Sequence, residues 1–105
     1  MADVSWRYSL CNEMFEGWPL AEIARLAAKI GYQGVELAPY TFAPLVTDLS
    51  AADRAQIRKD VEHAGLEVAG LHWLLARTPF QLNTPDAEER RRAGEYLLAV
   101  IDFCA

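Results

Sequence analysis

Apolar positions recur along this chain in two alternating rhythms. Over residues 6–11, Trp6-Arg7-Tyr8-Ser9-Leu10-Cys11, large apolar residues alternate with smaller or polar ones, which predicts a strand. Pro19 stands where a first helical turn tolerates it, because its missing N–H costs nothing there. Leu20, Ile23, Leu26, Ala27 and Ile30 follow at helical spacing and predict a helix over 19–30, ended by Gly31. Residues 34–38, Gly34-Val35-Glu36-Leu37-Ala38, read as a second strand that Pro39 and Pro44 keep from extending. Ser50 and Asp53 resemble a capping box opening a helix over 51–64, with Ile57, Val61 and Ala64 inward and Gly65 closing it. Residues 66–72, Leu66-Glu67-Val68-Ala69-Gly70-Leu71-His72, predict the third strand. A loop containing Pro79 then ends at Thr84-Pro85, an N-cap followed by proline. The last helix, over 85–104, carries Ala93, Tyr96, Leu97, Val100, Ile101 and Cys104 on one stripe.

Strands alternating with amphipathic helices imply parallel pairing, right-handed crossovers and an α/β fold. A doubly wound sheet and a (β/α)8 barrel both begin this way. The nucleotide-binding form of the doubly wound sheet needs a glycine-rich turn after its first strand, and here residues 12–18 hold one glycine, Gly17. The barrel is the better expectation. It takes eight strands and about 250 residues to close, whereas this chain has 105. Residues 1–105 therefore read as the first three βα units of a (β/α)8 TIM barrel, apparently truncated. Its outer strands would leave exposed edges that favour self-association.

Composition narrows the setting. With 52% apolar and 24% charged residues the chain is ordinary for a globular domain and too apolar for a disordered one. A net charge of −5 repels phosphate backbones, which makes nucleic acid an unfavourable partner. No apolar run reaches the ~20 residues of a membrane span, and the first residues lack the pattern of a signal peptide. Cys11 and Cys104 are the only cysteines. Without an export signal, free thiols and a cytoplasmic location are expected.

Candidate chemistry gathers at strand ends. His72 lies at the carboxyl end of the third strand, where barrels place their active sites. Strict alternation puts it on one face with Val68 and Gly70, the glycine leaving space beneath it. Such an imidazole either works on a ligand, by metal binding, hydroxyl bonding or proton transfer, or is held structurally by a backbone carbonyl. Glu36 interrupts an apolar strand that a parallel sheet covers on both faces. It is expected either inside the barrel, steering His72 or bonding a polyol, or in an ion pair with a residue such as Arg7. Trp18, Tyr40, Phe42, Trp73 and Phe80 follow strand ends and would roof the mouth or pack against a sugar ring. Nothing in the spacing of Asn12 and Glu13 separates them from solvated loop residues. Glu88 and Glu89 suit the start of the last helix, while Arg90, Arg91 and Arg92 form either a cation patch near the mouth or a solvated mixed-charge face. His63 falls on the solvated end of the second helix, away from His72.

Three runs, in order, carry a resemblance. Gly31-Tyr32-Gln33-Gly34-Val35-Glu36-Leu37 is similar to the Gly-Tyr-x-Gly-(Val/Ile)-Glu-Leu run of the sugar phosphate isomerase/epimerase family, xylose isomerase-like TIM barrels related to endonuclease IV. Residues 65–75, from Gly65 to Leu75, resemble that family's third strand. Residues 96–105, from Tyr96 to Ala105, resemble its third helix, normally followed by Leu-Gly-Gly and a fourth strand. The resemblance implies proton transfer on a ketose, aldose or polyol beside a divalent metal, Mn²⁺, Mg²⁺ or Co²⁺. It also implies that the metal ligands come from later strands, so that none lies within this chain. Glu36 and His72, with Trp73 beside them, become the expected substrate-binding or supporting residues. In the nuclease branch His72 would instead be a zinc ligand. The residues after it, Trp73-Leu74-Leu75, look more like the sugar branch. A non-catalytic, self-associating α/β fragment is the remaining alternative.

Overall fold

The computed structural model describes residues 4–105. Three parallel strands, β1 (Ser9–Cys11), β2 (Gly34–Leu37) and β3 (Glu67–Leu71), form one sheet in the order β1-β2-β3. The helices α1 (Leu20–Ile30), α2 (Ala51–Glu62) and α3 (Ala87–Cys104) follow them in turn. The fold is α/β, with the strand order of the first three βα units of a TIM barrel, and its sheet is open. Among the described residues, β1 and β3 each have one unpaired edge.

Sequence explains most of the boundaries. Gly31 ends α1 in the left-handed region at φ 110°, where a Cβ is strained, and its N–H reaches the carbonyls of Ala27 and Ala28. Ser50 and Asp53 make the expected capping box, each side chain accepting the other's backbone N–H. Elsewhere the structure corrects the pattern. Trp6 is 72% exposed and Tyr8 59%, and the strand begins only at Ser9. Tyr8 is held instead by Gln33, whose side-chain oxygen accepts its N–H at 2.7 Å. Asp86, not Thr84, caps α3, its carboxylate accepting the N–H groups of Glu88 and Glu89. Thr84 sits one turn earlier and accepts the Asp86 N–H. Ile30, Ile101 and Cys104 leave their expected stripes and are exposed, while Ala24 and Phe103 turn inward.

Two apolar clusters hold the layers together. Leu10, Val35 and Leu37 from the sheet pack under Leu20, Ile23, Ala24 and Ala27 of α1 and Val61 of α2. A second cluster joins Tyr96 and Val100 of α3 to Val46, with Leu71, Phe80 and Phe103 around it. The Tyr96 hydroxyl accepts the Val46 N–H at 3.2 Å and its ring stacks on Phe80 at 4.8 Å. Thus α3 is anchored to the β2–α2 connection as much as to the sheet. In a parallel sheet, one side of which carries these helices, the opposite side is the side that would face a barrel's interior.

Candidate functional site

The inner side of the sheet is built from small residues with two carboxylates among them, Glu36 and Glu67. In register, Cys11 pairs with Glu36 and Glu36 with Gly70, so the three form a row across the sheet. An irregularity between Val35 and Glu36 makes Ala69 an extra residue in β3. It puts Val68 opposite Val35 on the helix side and Gly70 opposite Glu36 on the inner side. The strict alternation expected for Val68, Gly70 and His72 is thereby broken. Gly70 still clears space beside Glu36, since a Cβ built on it meets nothing within 4 Å.

Glu36 is half-buried and, among the described residues, neither hydrogen-bonded nor ion-paired through its carboxylate. Its expected alternative partner, Arg7, is bound to Glu67 at 2.6 Å, an exposed pair that crosses β2 at Gly34. Gly34 is required there: a Cβ would lie 3.1 Å from the Glu67 carbonyl oxygen and 3.4 Å from the Ser9 Cβ. Burial, and then the negative charges of Glu13 and Glu36, push the Cys11 thiol up, so it stays protonated near neutral pH.

His72 follows β3 directly. Its N–H donates to the Leu37 carbonyl at 3.0 Å, and alternation from Gly70 carries its side chain to the Glu36 side. The imidazole is exposed and meets the Trp73 ring edge-on, centroids 5.0 Å apart, with no bond to Glu36 among the described residues. Trp73 is half-exposed and adopts φ 58°. The structure therefore joins Glu36 to Cys11 and Gly70, and His72 to Trp73, as two neighbouring groups. The other expected roof residues divide. Trp18 is 51% exposed beside Phe15, whereas Phe42 and Phe80 pack into the clusters.

Arg77 escaped the sequence reading, and Asn12 and Tyr40 have bonds that it did not foresee. Asn12 is the one buried polar residue of the described core. Its Oδ1 accepts the Ala38 N–H at 2.8 Å and its Nδ2 donates to Thr41 Oγ1 at 2.9 Å, tying the end of β1 to the loop after β2. The Tyr40 hydroxyl donates to Glu13 at 3.1 Å. Partial burial and that carboxylate push the Tyr40 phenol up, against the pull of Arg77, whose guanidinium lies 4.4 Å above the Tyr40 ring. Arg77 itself adopts φ 62°. A left-handed non-glycine residue costs about 1–3 kcal/mol and persists only where its surroundings hold it. No periodicity marks such residues, which sit in loops. Of the two readings of Arg90, Arg91 and Arg92, the structure has the exposed mixed-charge face: Arg91 and Arg92 engage Glu88, Arg91 also engages Glu95, and Arg90 donates to the Thr84 carbonyl.

Divalent Mn²⁺, Mg²⁺ or Co²⁺ demands several oxygen or imidazole donors converging on one point. The inner face offers Glu36 beside a protonated thiol and a second carboxylate, Glu67, already paired with Arg7, and among the described residues no three His, Cys, Asp or Glu side chains are grouped to hold an ion. These residues do not make a metal site on their own. Among the described residues no helix is long and apolar enough to cross a membrane, and Cys11 and Cys104 are free thiols.

An open parallel α/β sheet with its polar side chains at the carboxyl ends of the strands is the arc of a barrel-type domain. The xylose isomerase-like TIM barrel family matches residues 24–105, and the chain belongs to that family. This membership supports a sugar-processing, enzyme-like fold. No curated protein and no solved structure matches the chain.

Proposed function

We propose that the carboxyl-end face of this sheet forms part of the pocket of a sugar or sugar-phosphate isomerase or epimerase acting on a ketose, aldose or polyol. The observation that carries the reading is Glu36: a half-buried carboxylate on the central strand, facing inward, beside a glycine and without a protein partner. A half-buried carboxylate that solvent still reaches can exchange water for donors from a ligand, and sugar hydroxyls supply them. His72 adds an imidazole able to donate or accept at neutral pH, and Trp73 a ring face for the C–H side of a sugar. The proton transfer itself needs further groups beyond the three named here, and no step is assigned to them.

The test is a titration of the 105-residue chain with xylitol and D-xylose, followed by amide NMR. Shifts should centre on Glu36, Gly70, His72 and Trp73, and Glu36→Gln should weaken binding about tenfold, a loss of ~1.4 kcal/mol. Equal binding by Glu36→Gln, or shifts confined to the helices, would reject the pocket. A second reading, self-association, is favoured by the open edges of β1 and β3 together with Leu98 and Ile101, each 65% exposed on α3. It predicts a sedimentation coefficient that rises with protein concentration.

A further inference from the structure

A hollow of about 440 Å³ opens at the carboxyl ends of β1 and β2, and Glu13, Trp18, Tyr40 and Arg77 are among the residues lining it. Arg77 reaches it from the loop after β3 and sits over Tyr40, its guanidinium carbon 4.4 Å from the ring centroid. The turn that carries Arg77 is braced: Ala76 N–H donates to the Trp73 carbonyl, and the Thr78 N–H and hydroxyl both donate to the Leu75 carbonyl. Stacking uses the face of a guanidinium and leaves its in-plane N–H donors free. Among the described residues none of those donors meets an acceptor; six of the other seven arginines (Arg7, Arg25, Arg58, Arg90, Arg91 and Arg92) each donate to a carboxylate or a carbonyl, and Arg54 lies over the Phe103 ring outside this hollow. Glu13, the nearby carboxylate, already accepts from the Tyr40 hydroxyl. Glu13 and Glu16 carry negative charge into the same hollow, so within its lining Arg77 is the group that can accept an oxyanion, while the carboxylates suit hydroxyl donors.

We propose that Arg77, aligned by Tyr40, is the residue that reads an oxyanion on the ligand, a phosphate monoester or a carboxylate at one end of a sugar or polyol. This inference rests on the polyol reading of the mouth and adds the charged end of the molecule. A planar, five-donor fork matches either group bidentately.

The experiment compares xylitol, xylitol 5-phosphate, D-xylonate and inorganic phosphate as ligands of the full chain, read on the Arg77 Nε–Hε signal and on amide shifts. Either charged polyol should bind at least about tenfold tighter than xylitol, with Arg77→Gln removing the preference and Arg77→Lys keeping part of it. The tighter of the two charged polyols identifies the oxyanion. Equal affinity for xylitol and both charged forms, or a preference that survives in Arg77→Gln, would overturn the role of Arg77 and leave the polyol reading standing. Inorganic phosphate binding at Arg77 as tightly as xylitol 5-phosphate, with no binding of xylitol, would keep the role and reject the polyol. No shift at Arg77 with any ligand overturns the proposal.

Discussion

Asn12 shows how much one side chain decides at this mouth. Its amide satisfies a buried N–H on Ala38 and meets the Thr41 hydroxyl, which in turn donates to the Ala38 carbonyl at 2.6 Å. The loop after β2 therefore takes its shape from a residue at the end of β1. Replacing Asn12 by Ala leaves the Ala38 N–H without an acceptor, which costs about 1–3 kcal/mol. We expect Asn12→Ala to lower the urea midpoint accordingly and to shift the amides of residues 38–41, as chemical denaturation and NMR would record. An unchanged midpoint would mean that water replaces the amide without loss. Nothing in the sequence announced this role. An asparagine after a strand is ordinary in a loop, and its importance comes from a carbonyl and an N–H that are distant along the chain. Glu36 was legible for the opposite reason, since a carboxylate between Val35 and Leu37 contradicts its surroundings on any face.

At the scale of elements, local chemistry was read correctly where one side chain alone suited the position. Gly31 and the Ser50–Asp53 pair needed only their own turn. The start of α3 was misread because Thr84 and Asp86 both suit a cap, and the Thr84 hydroxyl is engaged by the Asp86 N–H and the Glu89 carboxylate. Asp86→Ala should therefore cost about 1 kcal/mol, and Thr84→Ala less, in thermal unfolding. The exposed face of α3 went wrong for another reason: its buried stripe is set by Val46 and Phe80, which no helical periodicity foretells. The first turn of α3 also gives a pH prediction. Bonding by Arg91, aided by Arg92, lowers the Glu88 carboxyl from its ordinary 4.5 to about 2. Since the folded value lies below the unfolded one, this contribution is present above pH 4.5 and is lost as the pH falls toward 2. Both partners are more than half exposed, so the effect is screened and small. Circular dichroism at 222 nm should show a shallower acid loss for Glu88→Gln than for the parent over that interval, and parallel curves would refute the linkage.

At the scale of the whole molecule the governing feature is a sheet with one fully paired strand. Among the described residues β2 is bonded on both sides, whereas β1 and β3 each keep a free edge. A hollow of about 750 Å³ runs along the β3 side between α2 and the end of α3, where Val68, Leu71, Ile57 and Phe103 line it. It is the space beside an unpaired strand, floored by apolar side chains, and is distinct from the polar mouth where Glu36 and His72 lie. Val68 at 45% exposure and Ile101 at 65% mark the same lack of a covering layer. Strand pairing and burial together set how often a backbone group opens to water. Amide hydrogen exchange at low protein concentration should accordingly protect Val35, Glu36 and Leu37 most, with Leu10 and Cys11 intermediate and Ala69 and Gly70 least. Raising the concentration then discriminates the two uses of an open edge. If copies of the chain pair through their edges, protection should grow at Ala69 and Gly70 or at Leu10 and Cys11 while β2 stays constant. Protection that is independent of concentration would show instead that the edges remain solvated.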